Sequence, residues 1–401
     1  MKPRTAIIFV GVLSALILII GAVAAFVQVP PSGDTGGAGT QTDFFSALFP
    51  FGGNAVRAPS VPATETGTND SRPVPQLREV SAGPVAGATF SGENDIRFIE
   101  KETGHVFETK LDSLAVSRLS NTTVQDIYES LWIKDDAFIL RFLSPNEVIT
   151  NALGALNGTS TDQTVTASAL NGFTRIAITP NGKSALTVTE VAGGSRIELI
   201  DMTKKTVPRL LLSSPIKSWV PRTGGTGLFL QTAASGASRG FLYEIEGQTL
   251  KKVVGGQTGL LATVSPTGRY VLFSSKTGSA IRLSLLDRNK GVTYEVPVAT
   301  LATKCAWFEN NEPILFCGAP RNTVSPTLDT WLMGAFSFED SAWLIDPVEG
   351  IASFVLDLTD SSGNGIDLIN PTTGKDGAYA LFMNKNDESL WSLLISAELP
   401  Q

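Results

Sequence analysis

Residues 264–275 read VSPTGRYVLFSS, in which an apolar residue leads into a short polar turn and an apolar strand follows. Six other stretches share this pattern: FSGENDIRFIEKE (90–102), WIKDDAFILRFL (132–143), ITPNGKSALTVTE (178–190), WVPRTGGTGLFLQT (219–232), WFENNEPILFCG (307–318) and INPTTGKDGAYALFMN (369–384). Their first residues are separated by 42, 46, 41, 45, 43 and 62 positions. A period of about 40–45 residues with room for four strands is typical of a propeller blade. We therefore predict an all-β fold, a seven-bladed β-propeller.

The seventh repeat stops at the C-terminus after three predicted strands. In each repeat the lead residue is predicted to end the innermost strand, and the apolar run after the turn is the second strand. A candidate for the missing fourth strand is LREVSAG, residues 77–83, which precedes the first repeat. Pairing with SLWSLLIS, residues 389–396, would build the last blade from both chain ends. It would also remove an exposed sheet edge.

The N-terminus predicts a membrane anchor. Lys2 and Arg4 precede an uncharged apolar run over residues 5–27, which is long enough to span a bilayer as a helix. The positive charges predict a cytoplasmic N-terminus. We expect a signal anchor over 1–28, a disordered Gly- and Pro-rich linker over 29–75 and the propeller over 76–401. A cleaved signal peptide, with a site at residues 22–24, is the alternative.

Composition and charge favour some function classes over others. The net charge is −7, whereas a nucleic-acid-binding surface needs a basic stripe, so no nucleic-acid partner is predicted. A single histidine excludes multi-histidine metal sites, and no GxSxG nucleophile motif occurs. We predict no catalytic residue, no metal ligand and no cofactor.

The two cysteines, Cys305 and Cys317, flank the predicted turn of the sixth repeat. If that turn closes a hairpin, the two residues lie opposite each other on paired strands, at a separation suited to a disulfide. An oxidising compartment outside the membrane favours that bond. The alternative is a pair of buried free thiols.

Two turn sequences carry a family resemblance. SPTGR at 265–269 and TPNGK at 179–183, each followed by an apolar strand and then IRLSLLD or RIELIDM, resemble the WD-like repeat of TolB-type propellers. The resemblance covers about residues 76–397 and implies the propeller fold. That family includes partners of envelope proteins, sensor ectodomains and non-catalytic domains of peptidases. The resemblance carries no catalytic residue over to this chain.

The longest period, 62 residues, contains an insertion between the predicted second and third strands of repeat six. Its apolar side chains are Trp331, Leu332, Met333, Phe336 and Phe338. Exposed groups of this kind form contact hot spots, so we predict an interaction site here. The alternative is that the insertion folds back to cap the central channel or packs on a neighbouring blade.

These observations predict a non-catalytic, membrane-anchored, extracytoplasmic propeller that binds an envelope protein or a cell-wall polymer. The alternative function is a glycan-acting hydrolase or lyase whose acidic residues converge in the channel. Three or more acidic, arginine or tyrosine side chains clustered at the channel mouth would favour that enzyme. A sensor ectodomain is a third possibility, which the very short cytoplasmic end disfavours.

Overall fold

A computed structural model describes residues 73–395, except 135, 145, 147, 160–161, 171, 205–206, 279 and 322–327. The predicted anchor and nearly all of the predicted linker lie outside the described residues. Within the described part of the chain, no helix combines the length and the apolar character needed to cross a bilayer.

The described residues form strands from one end of the domain to the other. The first fourteen are β1 Leu77–Ser81, β2 Val85–Ser91, β3 Asp95–Glu100, β4 Val106–Lys110, β5 Val116–Arg118, β6 Ile127–Lys134, β7 Ala137–Leu143, β8 Ile149–Thr159, β9 Asp162–Ala169, β10 Arg175–Ile178, β11 Ser184–Val191, β12 Gly194–Asp201, β13 Arg209–Ser214 and β14 Trp219–Gly224. The second fourteen are β15 Gly227–Thr232, β16 Arg239–Glu246, β17 Thr249–Thr258, β18 Leu261–Val264, β19 Tyr270–Thr277, β20 Ala280–Asp287, β21 Val292–Glu295, β22 Cys305–Trp307, β23 Leu315–Pro320, β24 Asp340–Asp346, β25 Ile351–Asp357, β26 Leu368–Thr373, β27 Tyr379–Asn384 and β28 Leu390–Leu394.

Helical structure among the described residues is short. It comprises a 3-10 turn at Ala302–Lys304, helix α1 at Leu328–Leu332 and helix α2 at Leu358–Ser362.

The strands pair into seven antiparallel sheets of four, which confirms the predicted seven-bladed propeller. Blades one to six each use four consecutive strands, from β2–β5 for blade one to β22–β25 for blade six. Because the first strand of each sheet is the innermost, β2, β6, β10, β14, β18, β22 and β26 surround the central channel.

Blade seven is built from both ends of the described chain, in the order β26, β27, β28 and β1. Leu77 lies opposite Leu393 in the β1–β28 ladder, as predicted. Arg78 of β1 also donates to Lys110 O and Thr109 Oγ1 of blade one, at 2.8 Å each. The N-terminal strand therefore completes the last blade and fastens it to the first.

The prediction that each lead residue ends the innermost strand is wrong for two repeats. Trp219 begins β14, and Ile369 lies near the start of β26. In blade four the turn falls at Gly225, which has a φ of 58° and whose Cβ, if present, would lie 2.3 Å from Thr267 O. Only glycine tolerates both constraints. The turn therefore forms at Gly225, later in the chain than the repeat pattern predicts.

Large apolar side chains fill the spaces between neighbouring blades. Trp219 of blade four is fully buried against Leu186 and Val188 of blade three. The rings of Phe316 and Phe382 stack across blades six and seven with centroids 6.5 Å apart. Burying one such side chain contributes about 1.5–3 kcal/mol, and this packing stabilises the ring against opening.

The predicted disulfide between Cys305 and Cys317 is confirmed. The two residues are paired across β22 and β23, and their sulfur atoms are bonded at 2.16 Å. Both cysteines are buried in the apolar layer between blades five and six. The bond thus links the two innermost strands of blade six, directly beside the insertion that follows β23.

Candidate functional site

The insertion, defined here as residues 321–339, connects β23 to β24, as the sequence predicts. Its described part contains α1. Leu328, Trp331 and Phe338 of the insertion pack with Leu261 and Leu301, which lie at or before the starts of the inner strands of blades five and six. The insertion therefore covers the face of the propeller at which the inner strands begin.

The described part of the insertion also reaches blades four and seven. The Asp329 carboxylate accepts hydrogen bonds from Gly236 N at 3.0 and 3.1 Å, in the loop between the second and third strands of blade four. Lys385 of blade seven donates to Phe336 O at 2.9 Å. These contacts fix the segment that contains Asp329 and Phe336, because they tie these two residues to different blades.

Beneath the insertion lies a cluster of three fully buried charged residues, Lys304, Asp340 and Asp367. Lys304 ends the 3-10 turn before β22, Asp340 begins β24, and Asp367 immediately precedes β26. Lys304 Nζ lies 2.6 Å from Asp340 Oδ2 and also donates to Asp367 Oδ1. The cluster joins blade six to blade seven at the same end of the ring as the insertion.

Two aromatic residues of the insertion are attached to this cluster. Trp331 Nε1 and Phe338 N both donate to Asp367 Oδ2, at 2.8 and 3.0 Å. Lys304 Nζ lies 4.7 Å from the centroid of the Phe338 ring, within the range of a cation–π interaction. The charged cluster therefore holds the aromatic side chains of the insertion in place.

The charges of the cluster do not cancel, because one ammonium faces two carboxylates. Asp340 Oδ2 accepts from Leu368 N at 2.7 Å, whereas Asp340 Oδ1 has no hydrogen-bond partner among the described residues. Burial raises the pKa of the Asp340 carboxyl to about 6, and the ammonium of Lys304 offsets only part of that effect. A proton on Asp340 would neutralise the cluster.

The five predicted interaction residues divide into two groups. Trp331 and Phe338 are only 8% and 5% exposed, and Phe336 is half-buried beside them. These three pack on the propeller, which is the alternative that the sequence left open. Leu332 and Met333 are 43% and 73% exposed, so they are available for contact. A binding role for the insertion stays a prediction, centred on these two side chains.

Sequence reasoning missed Lys304, Asp340 and Asp367. The three residues are far apart in the chain, and only the ring brings them together. The sequence does give one indication of this cluster. Lys304 is the only charged residue in the mostly apolar run LATKCAW at 301–307. A lone charge within a predicted core segment implies a buried partner, since unpaired buried charges are costly.

A second feature is a cavity of about 450 Å³ on the wall of the central channel. Its lining comes from the inner strands of four adjacent blades, at residues 86–89, 129–132, 176–178 and 370–372, together with apolar residues of blade seven. Within this lining Glu129 is the one carboxylate. Its Oε2 is 2.6 Å from Arg141 Nη1, and Arg141 Nη2 donates to Thr174 O at 2.7 Å. Glu129 is thus engaged in an ion pair within blade two, and Arg141 connects that pair to the segment that leads into blade three.

Comparisons with known proteins identify the fold. No protein-family model and no curated protein matches the sequence. Solved structures do match, among them hydrazine synthase from Kuenenia stuttgartiensis, with 13% identity, 79% of this chain and 97% of that chain covered, and a TM-score of 0.51. The β-propeller domain of the Trilobed protease from Pyrococcus furiosus matches with 8% identity, 77% and 95% coverage and a TM-score of 0.53. These matches confirm the propeller fold that the resemblance to TolB-type propellers implies.

The chain differs from the Trilobed protease propeller in how its ring is closed. The Trilobed protease propeller is described as having an open velcro topology. In the present chain β1 pairs with β28, so blade seven is closed by a strand from the other chain end. The β-propeller domain of Cps50 (Swd1) from Myceliophteria thermophila is also similar, with 12% identity, 80% and 100% coverage and a TM-score of 0.51. Since these proteins differ in their activities, the shared fold does not identify a function.

Proposed function

We propose that this protein is a non-catalytic, membrane-anchored propeller that lies outside the cytoplasm. It binds a protein or polymer of the cell envelope through the face that carries the insertion. The observation that supports this proposal best is the exposure of Leu332 and Met333 on a segment tied down by buried charges. Because the backbone that carries these side chains is already ordered, binding does not incur the cost of ordering it, which favours a contact site.

The carboxylates in and near the channel favour this proposal over an enzyme that uses acid–base catalysis. Most glycoside hydrolases use two carboxyl groups placed on either side of the scissile bond. Glu129, in the described lining of the channel cavity, is instead neutralised by Arg141. The buried carboxylates Asp340 and Asp367 are covered by the insertion, where a substrate could not reach them.

A single experiment tests both the compartment and the surface. The variant Met333→Cys is treated in intact cells with a membrane-impermeant reagent that couples a photo-cross-linker to thiols. The native cysteines are bonded to each other and do not compete. We expect labelling of the variant and, after illumination, a discrete cross-linked species identified by mass spectrometry.

The matched control is Val292→Cys. Val292 is also an exposed apolar residue, but it begins the outer strand of blade five, on the face of the propeller opposite the insertion. It should be labelled to the same extent without yielding the same cross-linked species. Absence of labelling at both positions would contradict the extracytoplasmic placement. Labelling without any cross-link specific to position 333 would contradict the insertion as the binding surface.

A further inference from the structure

The buried cluster beneath the insertion has more acidic groups than basic ones. Lys304, Asp340 and Asp367 are all fully buried, and one ammonium serves both carboxylates. If both carboxylates are ionised, one negative charge remains in the interior without a partner. Such a charge is costly to bury, so the cluster is stable in this closed arrangement when it also holds a proton.

Asp340 is the carboxyl group that is better placed to hold this proton. Its Oδ1 has no hydrogen-bond partner among the described residues. Asp367 uses both oxygens, because Oδ1 accepts from Lys304 and Oδ2 accepts from two donors of the insertion. Hydrogen bonds donated to a carboxylate favour its ionised form, so Asp367 keeps its charge and Asp340 takes up the proton.

Other charged groups on the elements around Asp340 are engaged elsewhere or exposed. Arg321, which follows β23, pairs with Asp357 at 2.8 Å. Lys385, which follows β27, donates to a backbone carbonyl of the insertion at 2.9 Å. Glu339, which precedes Asp340 in the chain, is exposed. Within the described part of the chain, Lys304 and Asp367 are thus the charged groups that act on the ionisation of Asp340.

The insertion is the cover of this cluster. Trp331 Nε1 and Phe338 N donate to Asp367 Oδ2 at 2.8 and 3.0 Å. Lys304 Nζ lies 4.7 Å from the centroid of the Phe338 ring and 5.7 Å from that of the Trp331 ring. While Asp340 is protonated, these rings cover a neutral pair of Lys304 and Asp367. Once Asp340 is ionised, the excess charge favours hydration, and water gains access when the aromatic side chains move aside.

We propose that the insertion is a proton-dependent cover, which stays closed on the propeller while Asp340 holds a proton and opens when Asp340 loses it. Opening would uncover Leu261 and Leu301, the apolar residues on which the insertion packs. The change is local, because the blades beneath are held by their own ladders. The proposal does not depend on an envelope partner, since it concerns the insertion and the residues beneath it.

The direction of the effect follows from the two states of Asp340. Burial raises the pKa of its carboxyl to about 6 when the cover is closed, against an ordinary value of 3.8 when the group is hydrated. The closed state therefore binds the proton more tightly, and acid favours closure. Raising the pH from 5 to 8 should shift the equilibrium towards the open state by about tenfold.

Hydrogen–deuterium exchange of the full-length protein in a non-ionic detergent tests this cover. It is read at single-residue resolution by mass spectrometry at pH 5 and pH 8 and corrected for intrinsic exchange rates. The reporter is the amide of Phe338, which donates to Asp367 in the closed state. Its protection should fall about tenfold from pH 5 to pH 8. The amides of β19 report unfolding of the whole domain and should be better protected at both pH values.

Three variants make the result specific. Asp340→Asn cannot ionise and should give equal protection of Phe338 at both pH values. Asp367→Asn leaves one carboxylate for one ammonium and should also abolish the loss of protection, so it decides if Asp340→Asn does not fold. Asp112→Asn, which changes an exposed carboxylate, should behave as wild type does.

Three results would overturn the proposal. The first is equal protection of Phe338 at pH 5 and pH 8 in wild type. The second is a loss of protection that persists in Asp340→Asn. The third is protection of Phe338 equal to that of β19 at each pH, because the insertion would then open only when the whole domain unfolds.

Discussion

Asp340 lies in a buried cluster in which one ammonium faces two carboxylates. Its pKa is about 6 in the folded protein, against an ordinary value of 3.8. The folded state therefore holds this proton more tightly than the unfolded state does. The resulting stabilisation is complete below about pH 3.8 and is lost as the pH rises through about 6.

Asp340→Asn should remove this pH dependence, because an amide does not titrate. Between pH 4.5 and pH 7.5, the free energy of unfolding of wild type should fall by about 2 kcal/mol more than that of the variant. Urea denaturation at a series of pH values measures the difference. Asp112→Asn, which changes an exposed carboxylate, should behave as wild type does. Parallel pH profiles for wild type and Asp340→Asn would contradict the assigned pKa.

The charged cluster also shows where reasoning from sequence stops. Hydrophobic spacing identifies which residues of a strand are buried, but it gives no information about which distant strand a polar side chain will meet. Lys304 and Asp367 are partners only because the ring places the inner strands of blades six and seven side by side. Such long-range pairing depends on the closed fold and has no local signature.

At the level of the strands, the contribution of the disulfide between β22 and β23 to stability can be measured directly. Cys305 and Cys317 are separated by 12 residues, and closing a loop of that size in the unfolded chain contributes about 3 kcal/mol. The double variant Cys305→Ala/Cys317→Ala should therefore unfold at a lower urea concentration. Reductant should lower the stability of wild type by a similar amount and leave the variant unaffected. Equal stability of oxidised and reduced wild type would contradict this prediction.

The strands themselves were largely predictable, and the exceptions have physical causes. The pattern of an apolar lead, a polar turn and an apolar run located β2 and β3, β18 and β19, and the hairpin that carries the cysteines. It misplaced the turn of blade four, because the close approach of Gly225 to Thr267 O depends on the neighbouring blade. The insertion was recognised from its length, and packing on the propeller was one of its two expected alternatives. Its particular contacts with blades four to seven were not predicted, since the partners come from other repeats.

The ring as a whole depends on the first strand. A chain that begins at residue 83 lacks β1, and with it the buried side chains of Val80 and Arg78. It should lose at least about 3 kcal/mol of stability, from the apolar contact and the two hydrogen bonds of Arg78 to blade one. The unpaired edge of β28 should also promote aggregation.

Thermal unfolding and size-exclusion chromatography measure these two effects. A chain that begins at residue 73 retains β1 and serves as the control. We expect the control to elute as a single species and to melt at a higher temperature than the shorter chain. Identical melting and elution of the two chains would show that blade seven does not need the N-terminal strand.

The pairing of Leu77 with Leu393 has a consequence for the order in which the molecule is made. During synthesis β1 emerges first among the described strands, yet its partner β28 emerges last. Blades one to six can form one after another from neighbouring strands, whereas the seventh has to wait for β28. Because closing so long a loop is entropically costly, joining the two ends should be the last and slowest step of folding.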